Sequence, residues 1–306
     1  MRLTKFFGSF NITGRPGYFS GSVFNATVVA TVIMVAIRFA ACQSPATDLN
    51  PYGDEPLEIR EDFRDLFDSC GVQGTIVVYD YSNKKWIVSD TAEALKEGLP
   101  ASTFKIPNLL FALEAGAIQS EHDTLRWPGV TDTVKYGYRP ETYRDMTAAE
   151  AFDISAVWAY EEIAQRIGRE KMREFLEKSR YGNGNLSQTE TDFWNFGAFG
   201  ITPVNMVQFL RDLYEEKLPF AKQHMDVVKN VMITEEGEGY RIHAKTGWTR
   251  EGGINLGWWV GYLEGSNGVC LFATKLVQDR QFKRDDFGSC RKEITGSVLR
   301  RLGMMK

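Results

Sequence analysis

Strand-like sequence lies near both ends of this chain and helix-like sequence fills the middle, an order that few folds accommodate. "G-T-I-V-V-Y-D" (74–80) and "K-W-I-V-S" (85–89) flank a polar turn, which predicts a β-hairpin. Past residue 238 come "Y-R-I-H-A-K-T-G-W" (240–248), "L-G-W-W-V-G-Y-L-E" (256–264) and "G-V-C-L-F-A-T-K-L-V" (268–277). The last two form another hairpin around 265–267. From about 103 to 230 the apolar spacing is mainly helical. Residues 147–168 hold two helical stretches, the second stopped by Gly168, and 202–214 opens with Thr202 as cap and Pro203 in the first turn. Two more helices are expected at the ends of the domain. One covers 55–67, with Leu57, Phe63, Leu66 and Phe67 on its apolar side; the other covers 289–302, capped by Ser289. The terminal strands then join in one antiparallel β-sheet flanked by the N- and C-terminal helices, and the inserted helices form a second lobe. This is an α/β two-lobed fold, with the cleft between lobes as the default site.

The first 42 residues differ in character from the rest. Arg2, Lys5 and Arg15 precede an apolar run from Val23 to Ile37 and then "F-A-A-C", the order of an export signal. That run is shorter than the about 20 residues a membrane span requires. Cys42 is either the lipid-bearing cysteine of a lipoprotein, tethering the protein to a membrane, or part of a signal that is simply cleaved. Residues 43–54 read as a linker and 55–306 as one domain, exported to the periplasm. A net charge of −4 with no long run of either sign argues against nucleic acid as a partner and favours a small molecule. Three scattered histidines lack metal-binding spacing, so no metal is expected. If Cys42 is removed or lipidated, Cys70, Cys270 and Cys290 leave room for at most one disulfide. Cys270, inside an apolar strand, reads as a small buried hydrophobe.

Ser-x-x-Lys occurs three times, at Ser82/Lys85, Ser102/Lys105 and Ser289/Lys292, and spacing alone does not separate chemistry from accident. The first pair sits at a hairpin tip and the third at a helix start, so both have ordinary explanations. Only Ser102/Lys105 is followed, in order, by "S-A-V" at 155–157 and "K-T-G" at 245–247. Serine is a poor nucleophile without a base in reach, and a lysine three residues on occupies a neighbouring position on a helix face. An ammonium is no base; neutralising it takes an apolar shell, for which Phe104, Val157 and Trp194 are candidates.

That motif order is the layout of the penicilloyl-serine transferases. Within them, the chain resembles the class D β-lactamases, on Phe104 within "S-T-F-K", Val157 after Ser155, "Y-G-N" at 181–183 and "D-F-W" ending at Trp194. The resemblance spans about 55–302. It implies hydrolysis of penicillin-type antibiotics through an acyl-enzyme on Ser102, and hence antibiotic resistance. Lys105, carboxylated on Nζ by carbon dioxide, would be the general base for both acylation and deacylation, with Trp194 donating to the carbamate; no other cofactor is implied. Ser155, with Lys245 biasing it, would protonate the leaving nitrogen. Thr246 and Arg291 would bind a substrate carboxylate, Gly247 would let the strand approach, and the N–H groups of Ser102 and Trp248 would form the oxyanion hole. Two departures bear on substrate range: the stretch 129–145, carrying Tyr136, Tyr138 and Tyr143, is longer than expected at this cleft edge, and Asn195 stands where an apolar residue is expected. Three other readings are a β-lactam sensor that stays acylated, a D,D-transpeptidase, which would carry asparagine at 157, and a non-catalytic relative.

Overall fold

The computed structural model describes Gly17, residues 50–282 and residues 286–305. Apart from Gly17, the segment expected to act as an export signal, with Cys42, lies outside the described residues. In chain order the elements are β1 (Leu57–Ile59), α1 (Arg64–Ser69), β2 (Gln73–Asp80), β3 (Lys85–Val88), α2 (Thr91–Ala94), α3 (Lys105–Glu114), β4 (Thr124–Leu125), α4 (Thr133–Tyr136), β5 (Met146–Thr147) and α5 (Ala148–Asp153). There follow α6 (Val157–Ile167), α7 (Arg169–Ser179), α8 (Pro203–Tyr214), α9 (Lys222–Val231), β6 (Ile233–Gly237), β7 (Tyr240–Glu251), β8 (Ile254–Gly265), β9 (Gly268–Asp279) and α10 (Phe287–Arg301).

Seven strands form one sheet in the order β1-β3-β2-β9-β8-β7-β6. All neighbours are antiparallel except β1 and β3, which pair in parallel, so the sheet is mixed at that edge. The N-terminal hairpin meets the C-terminal strands through β2 and β9, from Gln73 opposite Val277 to Asp80 opposite Cys270. Successive residues of these strands face opposite layers. Ile76, Val78, Trp259, Leu263 and Phe272 pack with Phe63, Phe67, Ile294 and Val298 of the terminal helices. Val77, Tyr79, Trp258, Val260 and Ala273 join the large core shared with the helical lobe. Burial on both faces explains why these strands read as continuous apolar runs rather than alternating ones.

The helical lobe follows its local signals. Thr202 Oγ1 accepts the Asn205 N–H, capping α8 with Pro203 in its first turn, and α6 ends at Gly168, whose φ of +80° stops the helix. Ser82 lies in the turn between β2 and β3, as expected. Two expectations fail. Residues 57–59 form a strand in which Leu57 and Ile59 are exposed, because Leu57 pairs with Trp86 of β3; only 64–69 is α-helical, after a 3₁₀ turn at 61–63. Ser289 is no cap either: α10 starts two residues earlier, and the Ser289 hydroxyl donates to the Asp286 carbonyl.

A disulfide joins Cys70, at the end of α1, to Cys290 in α10, while Cys270 is buried and free. It cross-links positions 220 residues apart, so it restricts most of the unfolded chain as well as clamping the two helices on one sheet face. Cys290→Ser is expected to lower stability by about 2–4 kcal/mol, read as a drop in the urea midpoint; reducing agent should lower the wild type alone.

Candidate functional site

The turn that carries Ser102 is wound tightly before α3 begins. Residues 101–104 form a 3₁₀ turn and Lys105 is the first residue of α3. In a 3₁₀ turn side chains three apart eclipse, so the Lys105 Nζ comes to 3.3 Å from Ser102 Oγ. Ala101, just before, is left-handed at φ +52°, a strained setting for a residue with a Cβ. Its N–H donates to the Trp194 carbonyl at 2.9 Å, which holds the strain in place.

Lys105 is 1% exposed and forms no ion pair among the described residues. Its Nζ lies 5.1 Å from the centroid of the Tyr160 ring. Burial, helped by the positive charge of Arg139 and opposed by the carboxyl group of Glu161, pushes its pKa down to about 7. Phe104 is fully buried, stacked on Trp194 at 5.0 Å and edge-on to Tyr181, Phe193 and Phe199. The Trp194 indole N–H is buried without a hydrogen-bond partner, an arrangement that costs free energy unless a ligand or modification satisfies it.

Ser155 sits in the three-residue link between α5 and α6, left-handed at φ +59°. It does not cap α6; Ala156 occupies that position with no side-chain cap bond. The strained backbone turns its hydroxyl to Lys245 of β7, whose Nζ donates at 2.6 Å. Lys245 is also buried and its pKa is pushed far down, first by burial, then by the charges of Lys105 and Arg291.

Past Lys245, β7 presses directly on the turn bearing Ser102. A Cβ on Gly247 would lie 2.8 Å from the Pro100 carbonyl and 3.0 Å from Thr103 Cγ2, so glycine here admits the neighbouring turn. Arg291 of α10 donates to the Gly247 carbonyl at 2.6 Å and to the Gly288 carbonyl at 2.9 Å; burial pushes its pKa down to about 10. Ser102, Ser155, Val157, Thr246, Gly247, Trp248 and Arg291 thus line one cleft of about 580 Å³. Phe104, Lys105 and Trp194 are buried behind it.

The far wall comes from 129–145. Tyr138 is exposed at the rim, whereas Tyr143 stacks on Trp127 and accepts the Arg139 N–H. Tyr136 bonds both Glu161 and Asp192. The Asn195 carbonyl accepts Thr249 Oγ1 at 2.6 Å, so its backbone ties this wall to β7. Arg139, Glu161, Asp192 and Thr249 were not singled out from the sequence. Asp192 opens the D-F-W stretch, and Glu161 lies one helical turn beyond Val157 on the same face of α6.

A serine hydroxyl against a buried lysine, faced by a second serine–lysine pair across a cleft, is an arrangement suited to acyl transfer. A family model for the penicillin-binding protein transpeptidase domain matches residues 74–300. β-Lactamase OXA-2 of Salmonella typhimurium is 39% identical over 243 residues, covering 79% of this chain and 84% of that protein. β-Lactamase OXA-10 of Pseudomonas aeruginosa is 33% identical, covering 91% of this chain and 98% of that protein. The crystal structure of the class D β-lactamase from Sebaldella termitidis superposes with a TM-score of 0.77 at 33% identity, covering 82% of this chain and all of the other. The chain belongs to the class D β-lactamases. It is a serine β-lactamase, a hydrolase whose substrate is the β-lactam ring.

The depressed Lys105 pKa makes stability depend on pH. Between pH 7 and 10.5 the unfolded lysine binds a proton that the folded one does not, so stability rises with pH across that window. Lys105→Met removes this dependence and is expected to be more stable than the wild type at pH 7, the gap narrowing toward pH 10. Urea midpoints measured along that series decide it; a constant gap contradicts a neutral buried amine.

Proposed function

We propose that this enzyme opens penicillin-type β-lactams through an ester on Ser102, with Lys105 carboxylated at Nζ as the base in both halves of the cycle, and that it is exported to confer resistance. The observation that carries this reading is the buried Lys105 amine, without an ion-pair partner among the described residues and 3.3 Å from the Ser102 hydroxyl. With its pKa near 7, a large fraction of that amine is neutral at physiological pH and able to attack carbon dioxide, forming a C–N bond and releasing a proton. The unpartnered indole N–H of Trp194 supports the same reading, since a carboxylated lysine offers the acceptor it lacks. When formed, the carbamate supplies a general base that a lysine ammonium does not.

The other roles follow from placement. Ser102 Oγ attacks the lactam carbonyl, and the backbone N–H groups of Ser102 and Trp248 would stabilise the oxyanion. Ser155, held by Lys245 at 2.6 Å, delivers the proton to the lactam nitrogen as the C–N bond breaks. Thr246 and the partly buried Arg291, which lines the cleft, suit the substrate carboxylate, while Val157 would pack against the ring beside Ser155. Residues 1–42, read as an export signal, would direct the enzyme to the periplasm, where it would meet the drug before the drug's targets, free or tethered through a lipid on Cys42.

Turnover of a chromogenic cephalosporin by the purified protein, with and without bicarbonate, tests the proposal. Rate is expected to rise with bicarbonate, and Lys105→Ala to lose at least ~10²-fold in kcat, the lower range for removing a general base. One stoichiometric burst followed by silence would instead identify a sensor that stays acylated.

A further inference from the structure

In the far wall of the cleft, one phenol is shared by two carboxyl groups. Tyr136 Oη of α4 lies 2.5 Å from Glu161 Oε1 of α6 and 2.5 Å from Asp192 Oδ2. A phenol has a single proton to donate, and two oxygen–oxygen contacts this short each need a hydrogen between them. The trio therefore holds a second acidic proton, on one of the carboxyls, which donates to the phenol oxygen. Asp192 is buried and ion-paired, 3.0 Å from Lys135 Nζ. Glu161 has no cation at ion-pair distance among the described residues, so the proton belongs there.

We propose that Glu161 is a positioning residue: the proton it holds through Tyr136 and Asp192 keeps a negative charge away from Lys105 and so leaves the lysine amine open to carboxylation. This rests on the Lys105 reading above. Lys105 is the charge that faces Glu161 from α3. Lys135 and Tyr136 face it from α4, and Asp192 from the segment before Trp194, with the exposed Glu190 paired to Lys135. Arg139, on the far wall, acts on Lys105 with the opposite sign. Glu162, its neighbour on α6, is turned to Arg166. Burial raises the Glu161 pKa, in keeping with the proton count. An ionised Glu161 would favour the Lys105 ammonium, which cannot attack carbon dioxide, and would repel the carbamate anion once formed.

The two carboxyls should respond in opposite directions, a pattern that loss of packing alone does not produce. Asp192→Asn removes the neighbouring charge that keeps Glu161 protonated; Glu161 then ionises, and the bicarbonate concentration for half-maximal turnover is expected to rise about tenfold, equivalent to one pKa unit on Lys105. Glu161→Gln cannot ionise, and at pH 8.5 its requirement should fall below that of the wild type. Infrared spectra of the full-length wild type at pH 7.5 should show a protonated-carboxyl band that Glu161→Gln lacks; this comparison needs no change at the buried Asp192. Absence of that band, or a rise in bicarbonate requirement in both variants, overturns the proposal. Wild-type turnover indifferent to bicarbonate overturns the carboxylation reading itself, and the infrared band then still decides whether Glu161 holds the proton.

Discussion

Keeping a lysine amine dry beside a serine is the constraint on which the rest of this site depends. A buried ammonium without a partner is costly, so the amine sheds its proton instead, and the shell around Lys105 has to stay apolar for that to persist. Phe104 and Trp194, stacked on each other and walled by Tyr181, Phe193 and Phe199, form the nearby aromatic core. The same rings anchor the 3₁₀ turn that eclipses Ser102 and Lys105, and the Trp194 carbonyl holds Ala101 in its strained conformation. One packed aromatic cluster thus sets both the surroundings and the geometry of the Ser102–Lys105 pair.

The second serine–lysine pair depends on the sheet. Lys245 and Gly247 are two residues apart on β7, and so point to the same side of that strand. One holds Ser155 across the cleft while the other lets the turn of Ser102 approach to van der Waals distance. β7 is held in register along its length by β8, and α10 reaches over it to bind the Gly247 carbonyl through Arg291. The terminal helices therefore do more than cover a sheet face: α10, locked to α1 by the disulfide, carries a side chain into the cleft.

Much of this architecture was legible because local and global signals agree. The hairpin of β2 and β3, the long strands β7 to β9, the Thr202–Pro203 helix start and the Gly168 stop follow from turn chemistry and apolar spacing. Leu57 misled because three apolar residues in helical register at 63, 66 and 67 drew it into their pattern, whereas tertiary pairing with Trp86 makes it a strand. Ser289 misled because capping residues also occur inside helices, where the hydroxyl bonds back to a carbonyl. The mixed edge of the sheet could not be read at all, since parallel pairing between β1 and β3 leaves no signature in three residues.

By itself the sequence determined which residues come together at the site: three short motifs in a set order name Ser102, Lys105, Ser155 and Lys245, and the fold brings each serine within hydrogen-bond reach of its lysine. Tertiary structure alone decided the electrical environment in which they work. The paired strain at Ala101 and Ser155, the orphaned indole of Trp194 and the proton shared by Tyr136, Glu161 and Asp192 involve partners as far apart in the chain as Ser155 and Lys245, 90 residues. Charge states in a low-dielectric interior answer to every neighbour within a few ångströms, whatever its place in the sequence, and those neighbours exist only once the chain has folded.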